Sequence, residues 1–208
     1  MTTLLKVDSS PMGQFSISRK LSERFLESWL RTHPGGKVIS RDLSAIDLPV
    51  IDAPWVAAVY TPEPARTPEQ NRLLALSDSL IDELLQAEEY VFGVPMHNFS
   101  IPSSLKLWID QIARVGKTFT YSASGPAGLL SGKKATLLLA SGGAYSEGSA
   151  LASVDFVTPY LQTVFGFIGV NDLTIIAAEG TAQLRTGSVD PQTFLAPFLE
   201  RVHAQASL

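Results

Sequence analysis

Strand-like segments alternate with segments of helical periodicity along this chain, and this alternation limits the fold more than any other feature. The strand-like segments cover residues 4–7, 37–43, 90–94, 135–140 and 173–178. The predicted helices cover residues 16–31, a segment that opens at 67, a segment after 99, 158–167 and 191–206. Five successive βα units predict an α/β fold with a five-stranded, parallel, doubly wound sheet, right-handed crossovers and helices on both faces.

Capping signals mark the starts of three predicted helices. Residues 67–70 (TPEQ) fit a capping box with proline at the first helical position. Asp190 is the predicted cap of the last helix, and Ser100 the predicted cap of the third, with Pro102 in its first turn.

The segment 46–68 contains five prolines, which predict an irregular excursion. Trp55 and Tyr60 within it either form part of a lid or anchor the loop to the body. The sequence leaves both alternatives open.

Size and charge limit the possible partners. The 208 residues predict one domain over 1–208. A formal charge of −4 without a lysine or arginine cluster argues against nucleic acid and anionic membranes as partners. The N-terminal residues lack the features of a secretory signal, and the apolar runs are too short to cross a bilayer, so we expect a cytoplasmic protein. Small-molecule chemistry is the favoured interpretation.

The residue types present restrict the chemistry further. The sequence contains no cysteine, which excludes disulfides, thiolate nucleophiles and cysteine-ligated metals. Its three histidines, at 33, 97 and 203, are too widely spaced for a local metal motif. The sequence therefore predicts no metal site.

The loop after the first strand is rich in hydroxyl groups and leads directly into a helix. Free backbone N–H groups and the helix dipole attract an anion there, and serine hydroxyls can donate to phosphate oxygens. Ser10, Ser16 and Ser18 are the predicted donors. The alternative, that Ser16 only caps the helix, remains open. Neither a Walker lysine loop nor GxGxxG follows this strand, so a mononucleotide is favoured over a nucleoside triphosphate or a dinucleotide.

Two further loops have ligand-type sequences. Strand 90–94 ends at Pro95 and leads into a polar, asparagine-containing loop, and strand 135–140 leads into Gly142 and Gly143. Adjacent glycines let a flat ligand approach the backbone, although an ordinary flexible loop is the alternative. Because carboxyl ends of parallel strands share one edge of the sheet, we expect all three loops to enclose one planar nucleotide.

A set of motifs spread over nearly the whole chain forms a specific combination. The motifs are SS at 9–10, SIS at 16–18, PMHNFSI at 95–101, GKTFTY at 116–121, GPAGLLSGKK at 125–134, TPYL at 158–161, GFIG at 166–169 and AEG at 178–180. The combination resembles the FMN-dependent NADH-azoreductases, also described as FMN-dependent NADH:quinone oxidoreductases. The resemblance implies a flavodoxin-like fold, tightly bound FMN, NADH or NADPH as electron donor, and quinones and aromatic azo compounds as substrates reduced by a ping-pong, two-electron mechanism.

The resemblance also implies site residues and a homodimer with its active site at the interface. The implied FMN-binding residues are Ser10, Ser16, Ile17 and Ser18 at the phosphate, Met96, His97, Asn98 and Phe99 along the isoalloxazine ring, and Ala140, Ser141, Gly142 and Gly143 in the loop after the fourth strand. Phe119, Tyr121 and Tyr145 are implied at the substrate pocket, with packing in a crossover as the alternative for the first two. The chain departs from the family at His97, Ser141 and Tyr145, where tyrosine, arginine and histidine are common.

Two other functional hypotheses fit the same fold. A flavodoxin-type electron carrier binds FMN without a substrate site of its own, but the modest negative charge of this chain favours that reading only weakly. A flavin-free regulatory or scaffold domain is the second alternative, prompted by the departures from the family pattern.

Overall fold

A five-stranded parallel sheet forms the centre of the molecule in the computed structural model, which describes residues 2–123 and 125–208. The strands are β1 (Thr3–Asp8), β2 (Lys37–Asp42), β3 (Glu89–Pro95), β4 (Phe119–Ser122), β5 (Gly125–Gly128), β6 (Lys134–Ala140) and β7 (Asp172–Ala178). The sheet has the order β2-β1-β3-β6-β7, whereas β4 and β5 form a separate antiparallel pair. The predicted five-stranded parallel sheet is confirmed.

Helices cover both faces of this sheet. They are α1 (Ile17–Thr32), α2 (Ala53–Tyr60), α3 (Pro68–Gln86), α4 (Ser103–Ile112), α5 (Thr158–Phe167), α6 (Ala182–Arg185) and α7 (Pro191–Gln205). α1 and α7 contribute to one hydrophobic cluster with the sheet, and α3, α4 and α5 contribute to the other. The predicted doubly wound architecture is therefore confirmed.

Alternation along the strands divides the core between the two faces. In β3, Val91 belongs to the cluster beneath α1, whereas Tyr90 and Phe92 belong to the opposite cluster. Phe92 meets Trp108 of α4 and Phe165 of α5 edge-on, at ring-centroid distances of 5.4 and 5.0 Å. Burial of each such ring contributes about 1.5–3 kcal/mol, so this aromatic cluster is a main support of the α4–α5 side.

Two of the three predicted caps are confirmed. Thr67 and Gln70 form the reciprocal bonds of a capping box, and Asp190 accepts from the Thr193 N–H. The Ser100 prediction is wrong, because α4 begins at Ser103 after Pro102 and the backbone of Ser100 pairs with His97 in a tight turn. Pro102 occupies the N-cap position, one residue before the first turn in which it was predicted.

The predicted irregular excursion at 46–68 contains a helix, α2, so that prediction is wrong in part. Asp52 caps α2 by accepting from the Trp55 N–H at 2.9 Å, and Pro54 lies in the first turn, where proline is tolerated. Trp55 packs against Leu74 of α3, which anchors this segment. Among the described residues, no helix is both long and apolar enough to cross a membrane.

Candidate active site

The loops at the carboxyl ends of β1, β3, β6 and β7 enclose a cavity of about 420 Å³. This volume lies in the range of ligand pockets, and its position is the expected one for an open parallel sheet. The lining residues are Ser10, Met12, Phe15, Ser16, Ile17, Ser18, Pro95, Met96, His97, Ala140, Gly142, Thr181, Leu184 and Arg185. The structure therefore brings the three predicted ligand loops together.

The hydroxyl groups of the loop after β1 are buried at the start of α1. Ser10, Ser16 and Ser18 are only 2, 4 and 1% exposed. Ser16 Oγ accepts from the Arg19 N–H at 3.2 Å and lies 3.1 Å from Ser18 Oγ. Ser16 thus caps α1 and also lines the cavity, so its two predicted roles are compatible.

Asp8, the last residue of β1, is buried directly beneath this loop. Its carboxylate accepts from Lys6 Nζ and, at 2.6 Å, from Ser22 Oγ. Gly93 of β3 is the neighbour on the sheet, and a Cβ there would lie only 2.4 Å from Asp8 Oδ1. A buried carboxylate needs such partners, since an unpaired charge in the interior is costly.

Arg19 connects this buried carboxylate to the loop and to β2. Its guanidinium lies 3.7 Å from Asp8, donates to Asp42 at 2.7 Å and reaches the Ser10 carbonyl at 3.4 Å. Burial acts to raise the pKa of Asp42, but hydrogen bonds from Ser44 and Arg19 outweigh it, so the pKa lies below its usual value. The ionic groups beneath the loop are thus paired with one another.

A tight turn follows β3. His97 and Ser100 exchange backbone hydrogen bonds of 2.8 and 3.0 Å, and the two residues between them have positive φ angles, 48° at Asn98 and 70° at Phe99. Successive positive φ values are typical of a type I′ turn and are unfavourable for a bulky residue such as phenylalanine. Such strain occurs preferentially at functional sites.

The glycine-containing loop after β6 is held by the loop after β7. Backbone N–H groups of residues 180–182 donate to the carbonyls of residues 141–143, at distances between 3.0 and 3.2 Å. A Cβ at Gly142 would meet only the Ala182 methyl, at 3.9 Å, so it would project into open space. Gly142 therefore leaves its backbone accessible to a flat ligand.

Tyr145 lies beside the main cavity. Its N–H donates to Glu179 Oε1 at 2.7 Å, and its ring meets Phe99 edge-on with centroids 6.5 Å apart. It lines a narrower recess that shares Met96 and Ala140 with the main cavity. The structure thus brings Tyr145 and Phe99 together near the predicted ring-binding residues.

Phe119 and Tyr121 lie outside the main cavity. They line a groove of about 290 Å³ together with Trp55 and Tyr60, outside the residues of the main cavity. Tyr121 is 68% exposed and meets Phe119 edge-on at 5.6 Å. Their contribution to a substrate pocket stays a prediction.

Thr181, Leu184 and Arg185 of the β7 loop line the cavity although the sequence reasoning missed them. The signal was present, because this loop also leaves the carboxyl end of a strand. Its sequence lacks the paired glycines and clustered serines of the other loops.

Comparisons with known proteins agree with this geometry. A sequence profile of the family described as "Flavodoxin-like fold" matches residues 2–202. The chain is 53% identical over 207 residues to the FMN-dependent NADH:quinone oxidoreductase of Acidobacterium capsulatum, with 100% of both chains covered. It is 48% identical over 204 residues to FMN-dependent NADH:quinone oxidoreductase 3 of Burkholderia lata, covering 98% of this chain and 99% of that one.

Solved structures give the same result. The azoreductase from Bacillus anthracis strain Sterne has a TM-score of 0.89 at 32% identity, covering 100% of this chain and 99% of that one. An FMN-dependent NADH-azoreductase from Bacillus anthracis strain Ames Ancestor in complex with FMN has a TM-score of 0.88 at 29% identity, covering 100% and 98%. The matches define the class as that of flavodoxin-like-fold proteins. Within this class, the chain belongs to the FMN-dependent NADH:quinone oxidoreductase family, and the resemblance inferred from its motifs is confirmed.

Proposed function

We propose that this protein is an FMN-dependent NAD(P)H oxidoreductase that reduces quinones to hydroquinones and cleaves aromatic azo compounds. The observation that carries the proposal is the cavity in which a hydroxyl-lined helix start, an apolar strand end and an open glycine loop converge. Relatives named FMN-dependent NADH:quinone oxidoreductase, with identities up to 53%, support it.

The cavity residues fit FMN. The buried hydroxyls of Ser10, Ser16 and Ser18 and the first N–H groups of α1 would hold the phosphate. The backbone at Gly142 would admit the flat ring, and Ile17, Ala140, Ser141 and Gly143 would complete the cradle. When bound, FMN supplies the two-electron chemistry, accepting hydride from the nicotinamide and passing the electrons to the acceptor.

The protein's own groups provide position and environment. Met96 and Pro95 form an apolar wall of the cavity, and the turn at His97, Asn98 and Phe99 brings polar and aromatic groups beside it. Tyr145, fixed through Glu179, would face the flat substrate. Apolar walls exclude water and offer surfaces for stacking.

The proposal includes a ping-pong order, in which donor and acceptor occupy the same space in turn. The absence of a dinucleotide fingerprint after β1 supports this, because the nicotinamide then needs no dedicated domain. One NADH and one proton reduce a quinone to a hydroquinone, and two of each cleave an azo bond to two amines.

The proposal also includes a homodimer in which Phe119 and Tyr121 of one subunit complete the pocket of the other. Tyr60 and Tyr121 are 75 and 68% exposed in a single chain, and exposed aromatic patches mark interaction surfaces. Tyr121→Asp should then give monomers by sedimentation and lower turnover with FMN still bound, whereas Leu30→Asp on α1 should do neither. A dimeric Tyr121→Asp protein would reject this arrangement.

We further propose that residues 1–208 act as one FMN-binding domain in the cytoplasm. Helices of both faces packing on one continuous sheet support the single unit. Cell fractionation with an antibody against the chain tests the location.

The decisive experiment follows the visible spectrum of the purified protein under anaerobic conditions. Addition of NADH should bleach the flavin bands, and addition of a benzoquinone should restore them. Flavin that stays oxidised with either nicotinamide would favour the electron carrier. A colourless protein that does not take up FMN would reject the flavoenzyme and favour the flavin-free domain.

A further inference from the structure

Arg185 stands apart among the residues around the cavity. Among the lining residues that the structure describes, it is the one lysine, arginine, aspartate or glutamate. The remaining polar groups of the lining are serine and threonine hydroxyls, one imidazole and the backbone. Any fixed positive charge that meets a ligand in this cavity therefore comes from Arg185.

The guanidinium of Arg185 is available for a ligand. Within residues 2–123 and 125–208 it makes no hydrogen bond or ion pair. The other cation near the phosphate loop, Arg19, is engaged by Asp8, Asp42 and the Ser10 carbonyl. Arg185 of α6, rather than Arg19, is thus the arginine that can bind an incoming anion.

The backbone position of Arg185 is set by the short helix that carries it. α6 begins beside the glycine loop, where Thr181 donates through both N–H and Oγ1 to the Ser141 carbonyl at 3.0 Å. Leu184, the residue before Arg185, lines the cavity with Phe15 and Ile17 of the phosphate side. Arg185 therefore lines the same cavity as the residues at the start of α1.

We propose that Arg185 binds the phosphate of the cofactor and makes the protein select FMN over riboflavin. This inference rests on the proposed function. A phosphate monoester carries a charge of about −1.5 to −2 at neutral pH, whereas a helix start provides only about +0.5. The planar guanidinium fork matches phosphate oxygens and forms charge-assisted hydrogen bonds with them. The hydroxyls position the phosphate, and Arg185 neutralises it.

Affinities for FMN and riboflavin, which differ only in the phosphate, test the inference. Each full-length variant is freed of flavin by dialysis, and quenching of flavin fluorescence gives Kd for both flavins. Arg185→Gln should weaken FMN about tenfold and riboflavin less than about twofold, since one charge-assisted bond to an anion is lost. Arg185→Lys should retain most of the selectivity. Arg201→Gln, which removes an exposed arginine of α7 outside the cavity, should leave both affinities unchanged.

Ionic strength provides a second readout. The wild-type Kd for FMN should rise with salt more steeply than that of Arg185→Gln, because salt screens the guanidinium–phosphate attraction. Wild-type protein that binds FMN, with an unchanged FMN-to-riboflavin ratio in Arg185→Gln, would overturn this inference alone. Wild-type protein that binds neither flavin would reject the proposed function, and the inference with it.

Discussion

The backbone N–H of Tyr145 donates to a carboxylate oxygen of Glu179 at 2.7 Å, which ties the loop after β6 to the end of β7. The bond crosses between two neighbouring strands of the sheet at the edge where the cavity opens. It adds a charge-assisted contact to the three backbone bonds that already join these loops. Tyr145 therefore depends on a residue that is not itself a lining residue of the main cavity.

Glu179→Ala should loosen this loop and lower turnover. We expect a loss of about 1–2 kcal/mol in the free energy of unfolding, because the Tyr145 N–H loses a charged acceptor. Urea denaturation and steady-state turnover measure the two effects. Glu179→Gln, which keeps an acceptor oxygen, should recover most of both, and Glu147→Ala, an exposed acid of the same loop, should change neither. Wild-type behaviour of Glu179→Ala would show that the bond does not position Tyr145.

Ser16→Ala should combine two losses. Removal of the α1 cap should cost about 1 kcal/mol of stability, and loss of a hydroxyl at the phosphate cradle should weaken FMN. Asp190→Ala is the matched control, since it removes the cap of α7 outside the cavity. It should cost similar stability with no change in FMN affinity. Equal FMN affinities of the two variants would assign Ser16 to capping alone.

Gly142→Val should spare the fold and impair cofactor binding. A side chain at position 142 would project into open space, so we expect a change of less than about 1 kcal/mol in the free energy of unfolding. The added methyl groups would, however, occupy the cavity. FMN affinity, measured by fluorescence quenching, should fall at least about tenfold. Gly166→Ala on the exposed side of α5 should leave the affinity unchanged and raise stability by about 0.5–1 kcal/mol. Normal FMN binding by Gly142→Val would place the flavin elsewhere.

Asp42 predicts a pH-dependent contribution to stability. Its pKa is lowered in the folded chain, so its interactions stabilise the fold above the unfolded-state value of about 3.9 and are lost as the pH falls through the folded value. Asp42→Asn should therefore be less stable than wild type near pH 6, with the difference closing below about pH 3. Urea midpoints between pH 2.5 and 7 measure this. The exposed Asp82→Asn of α3 is the control, and a gap independent of pH would refute the prediction.

Strand positions, most helix positions and the edge at which the site lies follow from the sequence. Residues 90–94 carry no polar residue, and the stripe formed by Leu80, Leu84 and their neighbours repeats at helical spacing, so local pattern and tertiary burial agree there. The capping box at Thr67 is similarly local. These elements were predicted correctly because each is specified by residues that are close together in the sequence.

The features that the sequence did not reveal depend on distant partners. α2 was hidden by Pro54 and by the prolines that flank it, and it is supported by packing on Leu74, which lies 19 residues beyond Trp55 in the sequence. Arg185 reaches the cavity only because the β7 loop binds the glycine loop. Arg19 of α1 connects Asp8 of β1 with Asp42 of β2, although these two acids lie 34 residues apart in the sequence. Such contacts require the fold before they can be identified.

The close approach of Gly93 to the Asp8 carboxylate couples two strands at the level of single atoms. Alanine at 93 would force the Asp8 carboxylate out of its present position, because the methyl carbon would lie 2.4 Å from Asp8 Oδ1. Shortening the side chain at position 8 would remove this overlap, but Lys6 would then remain buried without its counterion. Mutational libraries of this protein should consequently randomise positions 6, 8 and 93 together, since combinations that require simultaneous changes are not reached by varying one position at a time.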